Sequence, residues 1–152
     1  MRGQFTKDGG IDIEKALAYW VHRVQSAART TMFREFRRAG EDITPEQWMV
    51  LVRLWERDGR TQTELGQATF QDRPTMSRIL AGMETRGWLT KRADPESARI
   101  WRVHLTALGR SLKSKLVPAA ERLVTDMQRG IAEKDLELTR RTLERLFANL
   151  VE

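Results

Sequence analysis

The sequence predicts a mainly α-helical subunit carrying a small two- or three-stranded β-wing, and three observations carry that expectation. Apolar residues recur at helical spacing over most of the 152 residues. One window, residues 89–105, breaks that rhythm with an alternating, cation-rich pattern closed by Asp94-Pro95-Glu96-Ser97-Ala98, which are turn residues. Just before it, Thr44-Pro45-Glu46-Gln47 and Thr61-Gln62-Thr63-Glu64 each have a hydroxyl cap with Gln or Glu three residues on, so two helices start in quick succession.

Taken in order, residues 1–10 read as a polar, glycine-containing arm. From Asp12 the pattern turns helical through Ile13, Leu17, Trp20, Val21, Val24, Ala28, Met32, Phe33 and Phe36. Unbroken to about Ala39, that helix would be roughly 40 Å long, more than a small subunit can cover, and it calls for a partner. Arg34, Arg37 and Arg38 in its second half suit either a solvated face or an approach to phosphates. After Thr44, an inward stripe of Trp48, Leu51, Val52 and Trp55 ends at Asp58-Gly59. A short helix through Leu65 and Ala68 toward Phe70 follows, and Asp72 caps the next.

That next helix organises the chain. Met76, Ile79, Leu80 and Met83 recur at i, i+3, i+4 and i+7, so one side packs inward. The free side carries Pro74, Ser77, Arg78, Ala81 and Thr85, with Arg73 and Thr75 at its N-terminal flank. Small and polar residues of this kind let a helix lie in the DNA major groove, where hydroxyls and guanidinium meet base edges. Gly87 stops the helix, and strands at 89–93 and 99–105 follow, the second alternating Trp101, Val103 and Leu105 against Ile100, Arg102 and His104. Two short helices in succession with a hairpin behind them make a winged helix-turn-helix. Residues 73–102 hold seven bases against three acids, net +4, whereas residues 41–72 hold three against seven, net −4. The positive charge is thus local, as a nucleic-acid footprint requires.

Thr106 then caps a long helix bearing Leu108, Leu112, Leu116, Leu123, Val124 and Met127, bent at Pro118 and closed by Gly130. A last helix carries Leu136, Leu143, Leu146, Phe147 and Leu150. With the first helix, these read as a two-fold dimerisation bundle. The expected organisation is an N-terminal arm and dimerisation helix at 1–40, a winged helix-turn-helix at 41–106 and C-terminal dimerisation helices at 107–152.

Composition narrows the chemistry. Forty per cent apolar and 32% charged residues suit one compact subunit, and a net charge of +6 with pI near 10.3 favours a polyanionic partner. The absence of cysteine removes disulfides and thiolate chemistry, and His22 and His104 lack ligand spacing, so neither metal nor cofactor is expected. No signal core and no run of about 18 apolar residues occurs, giving the expectation of a cytoplasmic protein without a membrane segment. There is no phosphate loop, nucleophile elbow or HExxH, so no catalytic residue is assigned and an enzyme is not expected. A winged-helix module that binds protein rather than DNA is the alternative reading.

Three stretches together resemble the MarR family of winged-helix transcriptional regulators: Ile43-Thr44-Pro45-Glu46-Gln47-Trp48, Asp72-Arg73-Pro74-Thr75-Met76-Ser77-Arg78, and Arg99-x-x-x-Val103-x-Leu105-Thr106. Leu80-x-x-Met83-Glu84-x-Arg86-Gly87-Trp88-Leu89 adds a similar passage from helix to wing. The resemblance implies a homodimer whose recognition helices enter successive major grooves of a pseudo-palindromic operator while the wings reach flanking minor grooves. It assigns Pro74, Thr75, Ser77 and Arg78 to the major groove, Arg73 to phosphate or base and Arg99 to the wing. Arg92 is expected on phosphate. Members commonly place an acid two residues before the wing arginine. Here that position is Ser97, with Asp94 a candidate substitute across the turn. The family often binds small aromatic or phenolic anions, for which Trp20, Arg23, Trp48 and Trp55 are the candidate lining, and the resemblance implies a repressor released by such an effector.

Overall fold

The computed structural model describes residues 10–151. A 3-10 turn, Ile13–Lys15, leads into α1 (Leu17–Arg38), followed by α2 (Pro45–Glu56), β1 (Arg60–Thr61), α3 (Gln62–Thr69) and α4 (Arg73–Thr85). The wing strands are β2 (Leu89–Asp94) and β3 (Ser97–Leu105). The chain then runs through α5 (Ala107–Ser111), α6 (Lys113–Gln128) and α7 (Glu133–Val151). The sheet is antiparallel with order β1-β3-β2, so the wing has three strands.

Helix starts follow the sequence closely. Thr44 and Thr61 each form a complete capping box, with Gln47 and Glu64 returning the bond to the cap backbone. Asp72 accepts the Thr75 N–H at 2.7 Å, and Pro74 occupies the first turn, where a missing N–H costs nothing. The core gathers Phe36, Leu51, Leu54, Leu65, Met76, Leu80, Met83, Val103 and Leu116, all essentially inaccessible to solvent. Of the stripe expected on α2, Trp48 and Leu51 are buried, while Val52 and Trp55 are half-buried because they face a cleft; Val50 and Leu54 complete the buried face.

Two long helices are interrupted where sequence periodicity runs straight through. The first does not begin at Asp12: Ala16 is extended (ψ 120), and α1 spans 22 residues, about 33 Å. The Glu14 carbonyl, which a continuous helix would offer to residue 18, instead accepts the Trp20 indole N–H at 2.7 Å. The helix expected from Thr106 divides at Leu112 into α5 and α6. There the Gly109 carbonyl takes the Trp55 indole N–H at 3.2 Å. Pro118 lies inside α6, as expected, and removes a further backbone donor.

The wing is also tighter than the sequence suggests. Asp94 pairs with Ser97, leaving only Pro95 and Glu96 at the tip. The ladder is irregular between Ala93, which pairs with Trp101, and Asp94, so Ala98, Arg99 and Ile100 lie on a bulged stretch of β3. Val103 and Leu105 are buried at the base of the wing, but Trp101 is 57% exposed because the wing there overhangs the core. At the C-terminal end of α1, Arg38 pairs with Glu35, Arg37 lies over the Phe33 ring, and Arg34 reaches the Thr31 hydroxyl at 3.4 Å.

Candidate nucleic-acid interface

The predicted residues lie on two elements, α4 and the wing strands β2 and β3. Arg73, Pro74, Ser77 and Arg78 are exposed on α4, and Thr75 is half-buried beside the cap. The Thr75 hydroxyl and backbone N–H hold the Asp72 carboxyl below the usual carboxylate range, keeping the cap charged at the helix N-terminus. Arg92 and Arg99 are exposed on the wing.

The seven bases of this region divide into two groups. Arg86 is committed to Asp42, donating to its backbone carbonyl and lying 3.5 Å from its carboxylate, and it also stacks 4.7 Å from the Trp88 ring centroid. Lys91 pairs with Glu84 at 3.3 Å. Arg102 donates through Nε to Asp94 and through Nη1 to the Gly59 carbonyl at 2.9 Å. The remaining four, Arg73, Arg78, Arg92 and Arg99, have no side-chain ion-pair or hydrogen-bond partner among the described residues. A guanidinium held on a rigid element without a partner is available to an external anion.

Asp94 does not stand in for the missing acid at position 97. It is bound to Arg102, not Arg99, because the bulge turns its side chain toward the base of the wing. The Arg102 guanidinium, followed by the Glu96 backbone N–H, holds the Asp94 carboxyl below its usual range. The clamp stiffens the tip and leaves Arg99 free on the bulged edge.

A cleft of about 500 Å³ between α2 and α6 is lined by Trp48, Val52, Trp55, Lys113, Val117 and Glu121, among others. Trp48 and Trp55 meet edge to face at 5.7 Å. Trp20 and Arg23 lie elsewhere: the Arg23 guanidinium sits 5.4 Å from the Trp20 ring and 5.7 Å from Tyr19 on the surface of α1. The quartet expected from sequence is therefore split into two pairs within the subunit. The cation at the cleft is Lys113, which sequence reasoning missed; its signal was the Lys113, Val117, Glu121 spacing on a second face of α6.

A family model described as MarR family matches residues 41–100, the segment that holds this interface. A MarR-family transcriptional regulator from Silicibacter pomeroyi is 25% identical, superimposes with a TM-score of 0.75, and is matched over 92% of this chain and 94% of its own. The helix-turn-helix and wing, residues 41–100, match the MarR family. TtmR of Methylorubrum extorquens (strain PA1), an HTH-type transcriptional regulator, is 33% identical over 78 residues, 51% of this chain. Those residues are 40% of TtmR, so the chain spans less than half the length of that curated relative. The MarR fold is also seen in BpsR of Bordetella bronchiseptica, whose DNA binding is regulated by 6-hydroxynicotinic acid: 20% identity, TM-score 0.82, over 91% of this chain and 97% of BpsR. TtmR and the Silicibacter pomeroyi protein are both transcriptional regulators.

Proposed function

We propose that the chain forms a cytoplasmic homodimer that binds a pseudo-palindromic site in double-stranded DNA and regulates transcription. The observation that carries this reading is the set of four guanidiniums, Arg73, Arg78, Arg92 and Arg99, that have no partner among the described residues, in a region whose other cations are internally satisfied. In this reading residues 41–106 bind DNA, while 1–40 and 107–152 pair the subunits. Pro74, Thr75, Ser77 and Arg78 meet base edges in the major groove, Arg73 a phosphate or base, Arg92 a phosphate, and Arg99 the flanking minor groove. Selection of bound sites from random duplexes tests it. The expected result is an inverted repeat with half-sites about one helical turn, ~10 bp, apart. Failure to retain any duplex at moderate salt overturns the reading.

Regulation follows from the cleft between α2 and α6. Two indoles suit a small aromatic ligand whose acid group meets the Lys113 ammonium and lies away from the Glu56 and Glu121 carboxylates of the same cleft, and the structurally similar BpsR responds to an aromatic acid. A dimer seated on a promoter blocks polymerase, so repression relieved by such an effector is the proposed mode. Titration calorimetry with a panel of aryl carboxylates should give heat and a matching loss of DNA affinity. Absence of both rejects the effector and leaves the DNA-binding proposal standing.

A further inference from the structure

The chain passes from α3 to α4 through Phe70, which has φ 55 and ψ 39 and is the one non-glycine residue with positive φ among those described. Bulky side chains rarely adopt this left-handed conformation, and glycine or asparagine would serve the turn at lower strain. Phe70 is not retained for the core, because it is 78% exposed. The backbone of the turn is held without the phenyl: Gln71 N–H donates to the Gly66 carbonyl at 2.9 Å, and the Thr69 hydroxyl to the Leu65 carbonyl at 2.7 Å. What the phenyl touches is Phe147 of α7, edge to face, with centroids 5.5 Å apart and an interplanar angle of 72°. Phe147 is itself 49% exposed, on a helix with no buried residue.

We infer that Phe70 and Phe147 are positioning residues: their contact braces the helix-turn-helix against α7 and thereby sets the distance between the two recognition helices of the dimer. The inference rests on the proposed function. The turn is the point about which α4 would tilt relative to α3, and α7 belongs to the proposed pairing surface. A contact joining the two transmits the geometry of the pair to the reading head. Neither residue touches DNA in this scheme.

The test uses the full chain with Phe147→Ala and Phe70→Asn, the latter chosen because asparagine accepts the left-handed conformation and keeps the turn. Affinity is measured for the selected inverted repeat and for versions with the half-sites moved one or two base pairs closer or farther, alongside sedimentation and thermal melting. Wild type should prefer one spacing. Each variant should remain a folded dimer while the preference falls by up to about tenfold, the most an edge-to-face pair of this kind supports. The double variant should lose no more than either single one, because both break the same contact. If Phe147→Ala were monomeric, Phe70→Asn would decide the matter, since it leaves α7 intact. Variants that keep the wild-type spacing preference overturn the inference alone. A wild-type protein that binds no duplex overturns it together with the functional reading.

Discussion

Arg78 and Arg92 are both exposed and without a partner among the described residues, yet the surfaces they occupy predict different losses. Arg78 projects from the face of α4 that would lie in the major groove, so Arg78→Ala should cost roughly 1–3 kcal/mol on the selected site and relax selectivity at one position of each half-site. Arg92 stands on the wing, where a phosphate is the expected contact. Arg92→Ala should weaken operator and random DNA alike and reduce the salt slope by about one. Competition binding over a series of salt concentrations separates the two, and identical behaviour of the variants would remove the division of labour. Asp94 supports a pH prediction. Its carboxyl is held low by Arg102, so the native wing takes up a proton less readily than the unfolded chain does. The contribution is therefore present above about pH 4, the ordinary carboxylate value, and is lost as pH falls through the lower native value. Amide signals of the wing should lose dispersion on acidification in wild type, whereas Asp94→Asn should show a looser wing at neutral pH and little further change. The exposure of Arg78 was legible in the sequence because the helical period alone puts it outward. The partner of Asp94 was not, because a bulge between Ala93 and Asp94 decides which arginine it meets.

Among the elements, the helix starts were readable and two interruptions were not. A cap is a local device, and Thr44, Thr61, Asp72 and Thr106 all accept a backbone N–H from three residues on. The breaks before α1 and between α5 and α6 are instead made by tryptophan indoles that capture a helix carbonyl, one from six residues away and one from 54. No periodicity in the helix itself records such a partner. Trp55→Phe removes the donor while keeping most of the volume. It should cost about 1 kcal/mol in denaturant unfolding and let Gly109 accept from Lys113, straightening the α5–α6 junction and altering the lower wall of the cleft. Gly109 carries a second constraint. A Cβ there would lie 2.1 Å from the Trp88 carbonyl oxygen and 3.1 Å from Leu105 Cδ2. Gly109→Ala, which would stabilise an ordinary helix, should here destabilise by about 1–3 kcal/mol as the wing base and α5 are pushed apart. A variant at least as stable as wild type would show that the junction yields more readily than this packing implies.

At the scale of the molecule, the unresolved demand is the apolar surface on α1 and α7. Val24 is 54% exposed, Leu138 63% and Leu150 85%, and no residue of α7 is buried, although the helix carries an apolar residue at nearly every turn. A long helix gains most of its stability from packing such a face, so in isolation α7 would be marginal. In the proposed dimer a second copy of the chain would supply a like surface by symmetry and link folding to association. Two measurements follow from that link. The melting temperature should rise with protein concentration, as it does when only the folded state binds its partner. Val24→Asp and Leu143→Asp should also behave unlike ordinary surface changes, which fall within about 0.5 kcal/mol. If these side chains are buried between subunits, each would place an unpaired carboxylate in an apolar interface, shift sedimentation toward the monomer and lower operator affinity, while a monomer would tolerate both. The decisive comparison is each variant against wild type at high and low concentration. Equal melting temperatures, unchanged with dilution, would mean that the apolar faces of α1 and α7 are satisfied within one chain, and a symmetric two-headed reader of DNA would lose its physical basis.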